Sequence, residues 1–285
     1  MFISYRKIYY LFSITLIVVS LFGLFKWGIN LGIDFKGGVI MTLETNLSSN
    51  QIRQKISKLN LGETTIQSVG NKGISIKMKN IDETTHQKIL KNLGKDIIEK
   101  GYRQVGPTVG KSLEKKSLLA IFLSIIGIIL YVAWAFRKVS RIIPSWKYGL
   151  IAVLALFHDV IIVAGTFAFL GHFEQVSIGL PFVAAILTIF GYSVNDTIVV
   201  FDRIRENLLR RQVNDFAQLV NQSIKEIYVR SLNTSLTTLF VLFCLFIFGG
   251  ATLHYFSLAL IIGIAIGTYS SIFIASPLLV SWRGK

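Results

Sequence analysis

The sequence predicts an α-helical membrane protein with six spans and one small α+β domain outside the bilayer. Three observations predict it. Of 285 residues, 52% are hydrophobic and only 16% are charged, against about 25% charged in soluble domains. Six stretches reach the ~20 apolar residues that a span requires, at 8–27, 117–136, 148–170, 176–201, 232–249 and 255–282. Between the first two lies a polar segment, 28–116, long enough to fold alone. The expected division is a first transmembrane helix at 1–27, the outside domain at 28–116, and a five-helix membrane domain at 117–285 with an inside loop at 202–230.

This composition excludes disorder and an ordinary soluble enzyme. The net charge of +15 would suggest nucleic acid on a soluble chain. Beside so much apolar sequence it points to lipid headgroups, and nucleic acid is not an expected partner. The single cysteine, Cys244, excludes an intrachain disulfide and a cysteine-rich metal site. It sits in an apolar run, where a small buried residue is expected.

Each span should be helical, because backbone groups in lipid must be satisfied within the segment. Arg6 and Lys7 precede the first span as in a signal peptide, but the apolar core is too long and no small-x-small site follows. An uncleaved anchor is expected. Orientation follows from the short loops. Arg137, Lys138, Arg141 and Lys147 follow span two, and Arg203, Arg205, Arg210, Arg211, Lys225 and Arg230 follow span four. The opposite loops, 171–175 and 250–254, hold no Lys or Arg. The positive-inside rule therefore puts both termini in the cytoplasm and the long loop outside.

Within that loop, 39–45 alternates as a strand. Residues 48–60 carry Ile52, Ile56 and Leu59 at helical spacing, with Ser48 or Ser49 as N-cap. Two strands at 64–69 and 74–79 flank Gly70-Asn71-Lys72-Gly73, a hairpin signal. A second helix over 82–100 carries Ile89, Leu93 and Ile97 and ends at Gly101, and 102–105 forms a last strand. The order β-α-β-β-α-β is the ferredoxin-like, split βαβ pattern. Inside, Ile204, Leu208, Phe216, Leu219, Val220, Ile224 and Ile227 alternate with polar residues. That suits one or two helices lying along the cytoplasmic membrane surface.

Ionisable residues within spans are costly and are functional candidates. Asp196 lies late in span four, between apolar runs. Desolvation disfavours a charged carboxylate and a nearby cation favours it. A carboxyl between those influences can take up and release a proton; the alternative is a static aspartate bonded to a hydroxyl or amide. Arg230 opens span five near the same level, where it could approach Asp196 or simply snorkel to the interface. Asp159 lies mid-span three as a second relay group or a structural partner. His158 beside it is about 100° around the helix, so the two need not pair. Gly263, Gly267 and Ser271 form a small-xxx-small stripe in span six that admits a close neighbour. Two leads carry little. Gly106-Pro107-Thr108-Val109-Gly110-Lys111-Ser112 is one residue short of a P-loop, and the four histidines lack metal-ligand spacing.

Several of these segments are shared with a known family. Gly32-Ile33-Asp34-Phe35-Lys36-Gly37-Gly38 follows span one and Gly106-Pro107-Thr108-Val109-Gly110 closes the outside domain. Gly191-Tyr192-Ser193-Val194-Asn195-Asp196-Thr197 leads into Asp202-Arg203-Ile204-Arg205-Glu206-Asn207, and Arg230-Ser231-Leu232-Asn233-Thr234-Ser235 opens span five. Together they resemble the SecD/SecF family of bacterial export subunits, in its smaller, SecF-type branch. The resemblance implies a helical core like that of resistance-nodulation-division transporters. It implies a complex with SecD, association with the SecYEG channel and YajC, and use of the proton-motive force to assist late steps in moving unfolded proteins across the inner membrane. Protons would be the coupling ion, with no other cofactor and no enzymatic chemistry. Asp196 matches the family's relay aspartate, Arg230 its arginine partner, and Asp159 a polar point in its helix. Asp34, Gly37 and Gly38 match a motif of unassigned chemistry, for which an aspartate bonded to its own backbone at a bend is expected. Asn195 belongs to the span-four signature. Asp202, Arg203 and Arg205 match a cytoplasmic motif read as a fold-stabilising network. Two rivals remain: a proton-coupled small-molecule exporter and a purely structural translocon subunit.

Overall fold

The computed structural model describes residues 2–57, 59, 61–62, 64–69, 73–94, 97–137, 144–210 and 215–283. Among them, six helices are long and apolar enough to cross a membrane. They are α1 (Arg6–Trp27), α5 (Pro107–Ala135), α6 (Ser145–Phe173), α7 (Leu180–Arg210), α8 (Phe216–Phe248) and a last span built from α9 (Gly250–Ser270), a π turn (Ser271–Ala275) and α10 (Ser276–Arg283). Half or more of α6, α7 and the last span is buried, whereas α1, α5 and α8 present most of their apolar surface outward. The core is thus a three-helix centre with three peripheral helices.

Every span was legible from hydropathy, and the helices mostly run further. However, α7 starts at Leu180 and not at 176, because 176–179 form a connection bonded to Asn30 and Gly32. α5 starts at Pro107, whose ring suits the first helical position, ten residues before the apolar window opens. The P-loop-like segment is therefore a helix start, and Gly110 packs against the carbonyl of Phe35. α8 starts at Phe216, where the Asp215 carboxylate accepts from the N–H groups of Ala217 and Gln218.

The amphipathic segment expected along the cytoplasmic surface is packed differently: its described residues form no separate surface helix. Ile204 continues α7, and Leu219, Val220, Ile224 and Ile227 continue α8, all buried in the main core. Burial between two antiparallel helices satisfies the same apolar face that a lipid surface would. Cys244 is also corrected: it is exposed on outward-facing α8. The neighbour that approaches the small-residue stripe is α7 of this same chain. A Cβ on Gly263 would collide with Ile189, and one on Gly267 would lie 3.1 Å from Ser193.

The α+β domain holds α2 (Ile33–Lys36), β1 (Gly38–Glu44), α3 (Ser49–Ser57), β2 (Thr65–Val69), β3 (Gly73–Met78), α4 (Glu83–Leu93) and β4 (Ile98–Val105). The four strands form one antiparallel sheet in the order β2-β3-β1-β4. Val39, Met41, Leu43, Ile74, Ile76 and Met78 fill a core with Ile52, Ile56, Ile89 and Leu93 from α3 and α4. The hairpin signal at 70–72 lies outside the described residues, although β2 and β3 do pair. The second helix is shorter than expected. It ends at Leu93, because Gly94 turns the chain at φ +117°. Residues 98–101 join β4 instead, with an irregularity opposite Thr42 and Leu43.

The domain sits where α6 meets α7. Gln67 donates to the carbonyls of Glu174 and Gln175, both at 3.0 Å, and Lys77 donates to Ser177 Oγ at 2.9 Å. The basic residues Arg203, Arg205, Arg210 and Lys225 lie toward the opposite end of α7 and α8.

Candidate functional site: two buried carboxylates and a capped helix

Three central helices bring Asp159 and Asp196 into one polar cluster. Asp159, on α6, has no solvent exposure and Asp196, on α7, is 8% exposed. Each carboxylate accepts two serine hydroxyls. Ser193 on α7 donates to Asp159 at 2.6 Å and Ser270 on α9 donates at 2.9 Å. Ser231 on α8 donates to Asp196 at 2.6 Å, and Ser271 completes the pair. Ser270 and Ser271 are consecutive, so a single turn of the last span holds both carboxylates. That turn opens the π segment, where one residue more per turn re-aims side chains, an arrangement often found at functional sites. Ser276 Oγ reaches back to the carbonyl of Ser271 at 3.1 Å across it.

The cluster continues through hydroxyls. Tyr192 donates to Ser235 at 3.2 Å, and Ser235 and Thr268 lie 2.6 Å apart. His158 pairs with Asp159 through Nδ1 at 2.8 Å, an outcome that their adjacency on the helix left open. Both side chains are buried although they occupy neighbouring positions on α6. His158 Nε2 and Thr197 Oγ1 are buried without a hydrogen-bond partner among the described residues.

Arg230 is exposed on α8 and makes no ion pair with Asp196 in this structure. The reason is helical phase. Ser231 is the next residue, about 100° around, and it takes the inward position. Asn195 is likewise exposed, one position from Asp196.

Asp34 has a definite role that its sequence setting concealed. It does not bond its own backbone. Its Oδ2 accepts the N–H of Leu180, the first residue of α7, at 2.9 Å. Its Oδ1 meets Arg103 Nη2 of β4 at 3.2 Å. A carboxylate here satisfies an orphan helix donor and lies at the positive end of the helix dipole. Gly179 leaves room for it, since a Cβ there would strike Asp34 Oδ2. The Asn30 carbonyl accepts from Ile178 and the Ile178 carbonyl accepts from Gly32, so the segment before the cap is stitched to the α6–α7 connection. Gly37 and Gly38 follow with φ +78° and +135°, which side chains rarely adopt. They turn the chain from this dock into β1.

Comparison with known proteins now decides the family. The family model for the protein export membrane protein SecD/SecF, C-terminal, matches residues 85–285, and the SecD/SecF GG motif matches residues 22–46. The chain belongs to the SecD/SecF family. A relative named protein translocase subunit SecF from Thermobaculum terrenum is 42% identical, over 99% of this chain and 94% of its own length. One of the same name from Haemophilus influenzae is 39% identical, over 96% and 83%. The crystal structure of SecDF from Thermus thermophilus superimposes with a TM-score of 0.89 at 32% identity. It covers all of this chain, which spans only 38% of that longer chain.

Within this SecD/SecF chain, the GG motif is the Asp34 dock, with Gly37 and Gly38 as its exit. Arg203 joins α7 to α8 through Glu226 at 2.6 Å and also binds Glu206 at 2.6 Å. Asn207 adds bonds to Ser223 at 2.9 Å and Glu226 at 3.0 Å. Arg205 pairs with Asp202 at 2.9 Å. The bonds of Arg203 and Asn207 to Glu226 and Ser223 tie the two helices together at the end far from the domain, whereas Arg203–Glu206 and Arg205–Asp202 lie within α7. Sequence reasoning missed Ser270 and the roles of Ser193, Ser231 and Ser271. Their only signal is a run of hydroxyls inside otherwise apolar spans.

Proposed function

We propose that this chain is the SecF-type subunit of a Sec translocase, working with a SecD partner to assist protein export by the proton-motive force. The observation that carries this reading is the pair of buried carboxylates clamped by Ser270 and Ser271. An ionised carboxylate only accepts hydrogen bonds, and a protonated one must also donate. A proton on Asp196 weakens the bonds it accepts from Ser231 and Ser271 and adds an O–H donor that needs a partner, which loosens α8 or the π turn from α7. One proton crossing 100 mV releases about 2.3 kcal/mol, comparable to the ~1.5–3 kcal/mol of one hydrogen bond to a charged group. A single proton thus suits a small shift of one helix, not a large stroke. Asp159 is the second relay group. The unpartnered His158 Nε2 and Thr197 Oγ1 support a proton path beside the two carboxyls.

α7 is the transmission rod. Asp196 lies sixteen residues from Leu180, about 24 Å along the helix, and Leu180 is held by Asp34. Movement of α7 then reaches Arg103 and the sheet. The strand order and antiparallel pairing support a ferredoxin-like domain on the extracytoplasmic side. The basic far ends of α7 and α8 support cytoplasmic termini in a bacterial inner membrane. Arg230, Asn233 and Thr237 leave a polar stripe on outward-facing α8, costly against lipid and suited to a SecD helix. Arg230 acts there as a mobile cation that reaches Asp196 in another stage of the cycle. SecYEG, YajC and unfolded clients are the further partners in this reading, with no cofactor and no enzymatic step.

The test is export in cells depleted of the native protein, comparing wild type with Asp196→Asn at equal membrane abundance and with SecD co-purification measured. The expected result is export reduced at least tenfold with an intact complex. Normal export would overturn the relay and favour a structural subunit.

A further inference from the structure

One face of the sheet packs on α3 and α4, and the other roofs a cleft over the ends of the spans. The cavity between them measures about 390 Å³, within the range of small-molecule sites. Pairing register arranges its roof. Ile40 on β1 lies opposite Lys77 on β3 and also opposite Arg103 on β4. All three therefore share one face, and the two cations stand two strand spacings apart, about 10 Å. Their long side chains can converge on one small anion. The floor is aromatic: Phe167 from α6, Phe182 from α7, and Tyr255 and Phe256 from α9. The first two rings pack 4.7 Å apart.

Lys77 is the unusual member. It is half-buried, and its one hydrogen-bond partner given by the structure is the neutral hydroxyl of Ser177. No carboxylate lies within 4 Å of its ammonium among the described residues. Burial pushes its ammonium below the usual lysine range. A cation desolvated without a counter-charge is an anion site in waiting. Arg103 shares Asp34 but remains half exposed toward the same cleft.

We propose that this cleft binds one phospholipid with an anionic headgroup, from the leaflet on the side of the α+β domain. Lys77 and Arg103 hold the phosphate, and the glycerol and first methylenes rest on the rings below. Depth favours a lipid, because the floor lies near the ends of the spans, at the level of headgroups. The roof argues against an extended peptide. β1 and β3 are paired on both sides, so this face offers side chains and no free backbone ladder.

The full chain, purified in neutral detergent, should be titrated with equal amounts of phosphatidylglycerol and phosphatidylcholine and read by native mass spectrometry. Wild type is expected to retain phosphatidylglycerol at least about fivefold over phosphatidylcholine. Lys77→Gln should abolish that preference, Lys77→Arg should keep it, and Lys91→Gln, exposed on α4, should leave it unchanged. Equal retention of the two lipids by wild type overturns the proposal, whether or not Lys77→Gln folds. So does a preference that Lys91→Gln reduces as much as Lys77→Gln does, which would reflect overall charge. A labelled acidic peptide that binds wild type but not Lys77→Gln, with no lipid preference, would instead make the cleft a peptide site.

Discussion

Asp159 and Asp196 differ in what could release them. Asp159 is enclosed by His158, Ser193 and Ser270, while Asp196 leans on two serines from two different elements. The π turn makes Ser271 the more informative probe. Removing its hydroxyl deletes one donor to the charged form of Asp196 and leaves the fold's apolar contacts in place. Ser271→Ala is expected to cut export about three- to tenfold and to change its dependence on external pH, because the balance between charged and neutral Asp196 moves. An unchanged rate at every pH would remove Ser271 from the relay.

Helix ends explain how the elements are held. α4 is capped by Asp82, whose carboxylate accepts from Thr84 and from the N–H of Thr85. Those bonds, with Thr84 first, lower the Asp82 pKa to about 2 from the ordinary 3.8. A depressed carboxylate contributes stability that is fully present above its unfolded value and lost as pH falls through its folded value. The cap on α4 should therefore hold above pH 3.8 and fail as pH approaches 2. Hydrogen exchange on the full chain tests this. Protection of the first turn of α4, relative to Asp82→Ala, is expected to converge with the variant only near pH 2. Convergence already at pH 4 would contradict the cap. α7 receives the same kind of cap from a residue 146 positions away, Asp34, which makes the element's start a joint between domain and membrane.

That joint has consequences for the entire molecule. Asp34→Ala uncaps α7 and leaves Arg103 without its carboxylate. Loss of a cap costs about 0.5–2 kcal/mol, too little to unfold six packed helices. The expected outcome is a chain made at normal abundance that still binds SecD but exports at a fraction of the wild-type rate. In a double-mutant cycle, Asp34→Ala and Arg103→Ala should be non-additive in export. Full additivity would separate the two residues and break the proposed path from α7 to the sheet.

The membrane class, the six spans and the strand–helix order were readable because each depends on local pattern. A span must be about as long as the bilayer is thick, whatever surrounds it. An alternating or helical period likewise reports one face of its own segment. Asp196 and Asp159 could be singled out for the same reason, since charge inside an apolar run is visible without any partner. The partners were not visible. Ser231 rather than Arg230 faces Asp196 because of helix rotation, and Ser271 meets it from 75 residues away. The Asp34 cap, the Lys77 cleft and the burial of Ile204, Leu219, Val220, Ile224 and Ile227 all depend on which elements pack together. Those contacts arise from the joint packing of helices that are each apolar on several sides, and no period within one helix encodes its neighbour.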